Sequence, residues 1–96
     1  MINIGLYYKV KEGREKDFEK MFQRIREGLT RQEGFNSAKL YKSVEEQNEY
    51  MIYSEWKDLD SFAKFVRSEA FKQATAEGRE IIEGTPKHRV FQELFQ

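Results

Sequence analysis

Glu49-Tyr50-Met51-Ile52-Tyr53-Ser54-Glu55-Trp56-Lys57-Asp58-Leu59-Asp60-Ser61-Phe62 changes its hydrophobic period midway. Up to Trp56 the side chains alternate. Tyr50, Ile52, Ser54 and Trp56 fall on one side and Met51, Tyr53 and Glu55 on the other, which is the two-residue period of a strand. Beyond Lys57 the period becomes helical. Asp58 is a good N-cap, Asp60 lies in the first turn where the helix dipole favours a carboxylate, and Leu59, Phe62, Phe65 and Val66 form an apolar stripe. Ser68 reads as a second N-cap, so the helix is expected to break there and restart at Glu69. Phe71, Ala74, Ile81 and Ile82 are expected to face inward. Gly78 and Gly84-Thr85-Pro86 weaken and end this segment, and His88 to Phe95 alternates again as a last strand.

Working back towards the N-terminus, Ser43 to Asn48 is a polar connection. Phe35 to Lys42 is a strand that pairs with the one after it as a hairpin. Residues from about 14 to 33 are amphipathic, with Phe18, Met21, Phe22, Ile25 and Leu29 at helical spacing, and Gly34 suits the left-handed position beyond a helix end. Ile2, Ile4, Leu6, Tyr8 and Val10 alternate as a first strand. Gly5 lies on that strand's other face, where a missing side chain lets a backbone or ligand approach. The order is β-α-β-β-α-β, the ferredoxin-like α+β class: a four-stranded antiparallel sheet with its helices on one face. One domain over residues 1–96 is expected.

Composition narrows the function classes. Seventeen basic residues balance seventeen acidic ones. That balance argues against nucleic-acid or membrane-surface partners, which favour a basic excess. No apolar run is long enough to span a bilayer, and no secretory leader is evident, so a cytoplasmic protein is expected. There is no cysteine, and the single histidine cannot build a multi-histidine metal site, so no metal site is expected. The nucleotide-binding, nucleophile-elbow and zinc-protease motifs are absent.

Both faces of the strands carry large apolar side chains: Tyr7, Met51, Tyr53, Phe91 and Phe95 against Leu6, Tyr8, Ile52, Trp56 and Leu94. With helices on one side only, the other face is left uncovered, and a second copy of the chain is the expected cover. A two-fold homodimer follows, with the last strand able to cross to the partner.

Several segments resemble the antibiotic biosynthesis monooxygenase (ABM) family. They are Val10-Lys11-Glu12-Gly13-Arg14-Glu15-Lys16-Asp17-Phe18, Glu33-Gly34-Phe35, Tyr53 through Phe62, and Ser68-Glu69-Ala70-Phe71. The likeness spans nearly the whole chain. It implies a dimeric α+β barrel. Among the family's activities it implies cofactor-independent oxidation of phenols or quinols by molecular oxygen, and, in another branch, haem degradation. The haem-degrading branch carries an Asn on the first strand, a Trp on the second helix and an axial His further along. The matching positions here are Leu6, Phe65 and Thr75, and none keeps the required type.

A monooxygenase without cofactor needs a dry pocket for an electron-rich ring and a group that handles the phenolic proton. The resemblance makes Trp56 a substrate contact, and Leu6, Phe65, Phe71 and Thr75 are expected beside it. For the proton, His88 and Tyr53 are the candidates; Tyr7 and Tyr8 could also hydrogen-bond a phenol or quinone oxygen, and Glu55 is a further candidate base that faces away from Trp56. The expected function is therefore oxidation of a small aromatic or quinol-type compound, with no cofactor. The alternatives are a non-catalytic dimer that binds a small hydrophobic molecule, and haem binding with atypical ligation.

Overall fold

The computed structural model describes residues 1–95; Gln96, the end of the domain expected over 1–96, lies outside them. Strand β1 (Ile2–Val10) is followed by helix α1 (Glu15–Leu29), strands β2 (Phe35–Lys42) and β3 (Glu49–Trp56), helices α2 (Leu59–Val66) and α3 (Glu69–Gly78), and strand β4 (Ile82–Gln92). The sheet order is β2-β3-β1-β4, and every neighbouring pair is antiparallel. This is the ferredoxin-like order, with the second helix divided in two. The division falls at Ser68, whose hydroxyl accepts the Phe71 N–H at 3.2 Å and so starts α3 afresh. Asp58 caps α2 in the same way through the Ser61 N–H at 2.8 Å.

The helices cover one face of the sheet. Ile4, Val10, Ile52 and Trp56 from the strands meet Phe18, Phe22, Phe62 and Phe65 from the helices, all buried. No helix among the described residues is long and apolar enough to cross a membrane.

Two boundaries differ from the sequence-based expectation. Helix α1 stops at Leu29 and does not reach residue 33. The Thr30 hydroxyl donates to the Glu27 carbonyl at 2.7 Å, and the chain then turns through residues 30–34. Gly34 does adopt a left-handed φ of 82°, but it serves a close approach and does not cap the helix. Its carbonyl accepts the Lys57 N–H at 2.7 Å, and a Cβ there would stand 2.1 Å from Ser61 Oγ.

Strand β4 begins at Ile82, six residues before His88, and ends at Gln92 without reaching Phe95. Gly84-Thr85-Pro86 is therefore not a terminator. The register passes from Lys9↔Glu83 to Tyr7↔Lys87, so these three residues stand opposite Tyr8 alone. The bulge lies on an edge strand, where proline's missing N–H costs no ladder bond, and Gly84 takes a φ of 66°.

Candidate functional site

Helix α3 packs towards α1. Glu77 pairs with Arg24 at 3.3 Å, and a Cβ on Gly78 would lie 3.4 Å from the Met21 side chain. The helix-side face of β4 is left without a roof, and every β4 residue after Ile82 is exposed. Between this uncovered strand and the helices lies a cavity of about 290 Å³. Leu6, Tyr8, Ile52 and Trp56 form its floor. Phe62 and Phe65 of α2 and Phe71 and Thr75 of α3 form its other walls. Its mouth runs between Arg79 and the bulged stretch of β4, where Gly84, Pro86, Lys87 and His88 are exposed.

All five residues expected around the substrate, Trp56, Leu6, Phe65, Phe71 and Thr75, line this one cavity. Trp56 is 1% exposed. Its ring centroid lies 5.3 Å from that of Phe35, 5.6 Å from Phe62 and 5.5 Å from Phe65, and Phe65 lies 5.2 Å from Phe71. These spacings are those of attractive aromatic pairs. The buried indole N–H donates to Ser54 Oγ at 3.0 Å. The Thr75 hydroxyl donates to the Phe71 carbonyl at 2.8 Å.

The two proton-handling candidates separate. His88 stands opposite Leu6 in the β1–β4 register, so it shares the cavity face of the sheet. It lies within β4 and not at its start as expected, and it is exposed at the mouth. Tyr53 lies on the other sheet face, hydrogen-bonded to the Asn3 side-chain amide, and does not line this cavity. Glu55 shares that outer face and accepts from Ser37 Oγ at 3.2 Å.

The phenol that does reach the cavity is Tyr8. Burial pushes its pKa up to about 12. Among the described residues its hydroxyl has no hydrogen-bond partner. The signal was present in the sequence, since Tyr8 shares the alternating face of Leu6. What hid it was the bulge opposite, which opens space beside its ring. Tyr50, its cross-strand partner, is engaged elsewhere: its hydroxyl donates to Glu19 Oε2 at 2.6 Å. Burial first, and then that carboxylate, raise its pKa.

On the outer face, Gly5 is covered by its own strand neighbour, since a Cβ there would lie 2.9 Å from the Tyr7 hydroxyl. Asn3 is 5% exposed and its Oδ1 has no partner. Tyr7, Tyr41 and Phe91 are exposed, at 36%, 47% and 44%.

Among the described residues no group of three or more His, Asp or Glu is placed to hold a metal ion. The three positions matched above to the haem-degrading branch do not fit haem here. Leu6 and Phe65 are hydrocarbon, and the Thr75 hydroxyl is committed to its own helix. His88 is the one imidazole near the cavity.

A sequence model of the antibiotic biosynthesis monooxygenase family matches residues 1–77. Among curated proteins, a predicted heme-binding protein of Natronomonas pharaonis is 29% identical over 85 residues, which make up 88% of this chain and 14% of that relative. A counterpart from Haloquadratum walsbyi is 27% identical over 88% of this chain and 16% of its own length. The chain thus spans only a small part of the curated relatives it matches. Among solved structures, a predicted antibiotic biosynthesis monooxygenase of Bordetella bronchiseptica superposes with a TM-score of 0.90 at 24% identity, covering 98% of this chain and 97% of that one. SnoaB, a cofactor-independent oxygenase of Streptomyces nogalater, superposes with a TM-score of 0.88 at 23% identity, covering 99% and 94%. At these identities the structural likeness is one of fold. The sequence match runs from β1 almost to the end of α3, and on it this chain belongs to the antibiotic biosynthesis monooxygenase family.

Proposed function

We infer that this protein is a cofactor-independent monooxygenase that oxidises a small aromatic or quinol-type compound with molecular oxygen. It would act as a cytoplasmic homodimer joined through the outer sheet face. The observation that carries the reading is the cavity, which has aromatic walls, a largely apolar floor and few polar groups. A flat ring lies among Trp56, Phe65 and Phe71, with Leu6 beneath it and Thr75 at the rim. Tyr8, whose raised pKa keeps it protonated, donates a hydrogen bond to the substrate oxygen. His88, opposite Leu6 on the cavity face of the sheet, takes the phenolic proton.

The resulting phenolate gives one electron to O2, and the radical pair recombines to form a C–O bond. The peroxide is protonated, then loses water to leave a quinone. One phenol and one O2 become one quinone and one water. The substrate supplies all four electrons that O2 takes up. The dimer is supported by the exposed Tyr7, Tyr41 and Phe91 on the uncovered face, and by Leu94 and Phe95 beyond β4, exposed at 76% and 91%.

Oxygen uptake over a panel of quinols and hydroxynaphthalenes tests the reading. Uptake is expected with at least one of them, to vanish in Trp56→Ala that is still folded by circular dichroism, and to fall about 100-fold in Tyr8→Phe. Ligand binding without oxygen uptake would select a non-catalytic binding protein instead. A second reading, haem binding through His88, is supported by the names of the archaeal relatives and by the place of His88 at the mouth. A Soret band on haemin titration that disappears in His88→Ala would select it.

A further inference from the structure

The charges around the cavity are one-sided. The chain as a whole carries as many acidic as basic residues. Among the described residues, however, the cavity is lined by no Asp or Glu, while Arg79 and Lys87 both stand at its mouth. The nearby acids are accounted for elsewhere. Glu77 is paired with Arg24 at 3.3 Å. Glu83 lies 3.5 Å from the Asn48 amide and lines an adjoining groove, which Tyr8 and Lys87 also border, and not the cavity itself. Glu80 is exposed and forms no part of the cavity wall.

Arg79 is the last residue of the α3 turn, exposed, and in no ion pair among the described residues. Its guanidinium is a planar fork of donors matched to a carboxylate. Lys87 pairs with Tyr7 in the register, and so belongs to the outer face while bordering the mouth. It adds positive potential there, and Arg79 is the group placed to bond. Behind this rim the walls are hydrocarbon and aromatic. A neutral ligand would leave the rim's charge unanswered, and a cationic one would be repelled.

We propose that the molecule this cavity takes is an aromatic carboxylate, with its ring among Trp56, Phe65 and Phe71 and its carboxylate at the mouth against Arg79. This rests on the reading of the cavity as the ligand site and adds the substrate class. In the oxidation described above, the carboxylate is a handle only. It fixes which edge of the ring faces Tyr8 and takes no part in the electron transfer.

Isothermal titration calorimetry with two probes of nearly the same ring, 6-hydroxy-2-naphthoate and 2-naphthol, tests the proposal without requiring turnover. The carboxylate is expected to bind at least about tenfold more tightly. In Arg79→Gln that advantage disappears while 2-naphthol binding is unchanged, and in the unsubstituted protein it shrinks with added salt because the rim is exposed. Equal binding of both probes would overturn the carboxylate and leave the cavity reading standing. A preference that survives Arg79→Gln would place the anchor elsewhere and overturn the proposal. Binding of neither probe would overturn the cavity reading and this proposal together.

Discussion

The two faces of the same sheet solve different problems. On the helix side, Ile4, Ile52 and Trp56 are almost wholly buried, yet α3 withdraws from β4 and leaves a cavity. On the outer side no helix covers the strands. Polar groups pair within the sheet, Asn3 with Tyr53 and Ser37 with Glu55, between exposed aromatic rings. The inner face withholds part of its packing to leave space. The outer face leaves the rings of Tyr7, Tyr41 and Phe91 exposed. The difference shows that close packing and open space can adjoin: Trp56, 1% exposed, borders the cavity.

Truncation on the two faces should separate them most strongly. Trp56→Ala removes a ring packed against Phe35, Phe62 and Phe65. It should cost about 3–5 kcal/mol in urea unfolding, the range for buried aromatics cut to alanine. Tyr53→Ala, on the outer face, should cost clearly less; equal losses would mean that the outer face is as fully packed as the inner one. A charge at the centre of the outer face should act on association before stability. Met51→Glu, placed between Tyr7 and Tyr41 in the register, should give monomers in light scattering while cavity ligands still bind. A protein that is monomeric before substitution would remove the dimer from the account.

The smallest effect concerns alkaline pH. The Tyr8 phenol has a folded pKa of about 12 against 10.0 for an ordinary tyrosine. The folded state therefore holds this proton more tightly than the unfolded one. Its contribution is complete below about pH 10 and is lost as the pH rises towards about 12. Tyr50 acts in the same direction. Unfolding free energy should fall between about pH 10 and about pH 12, and less steeply in Tyr8→Phe. An unchanged slope in that variant would mean that the hydroxyl is solvated in the native state.

Much of this was legible in one dimension. The alternation in β1 and β3, the stripes of α1 and α2, and the caps at Asp58 and Ser68 are local signals. Each depends on spacing along a single element, so the element order and the inner face of the sheet followed from the sequence. The set of cavity residues was legible for a related reason, since Leu6 and Trp56 share the inner face and Phe65 and Phe71 flank the helix break. Alternation also separates Tyr8, which falls with Leu6, from Tyr53, which falls opposite Trp56. What alternation does not show is that open space reaches Tyr8. Likewise Gly84-Thr85-Pro86 has the composition of a terminator, and only its pairing against Tyr8 makes it a bulge within β4. Gly34 has the composition of a helix cap, and only the approach of Ser61 reveals its use. Periodicity is a property of one segment and is written in its residues. Register, close approach and empty space belong to pairs of segments far apart in the chain, and they exist only once the chain has folded.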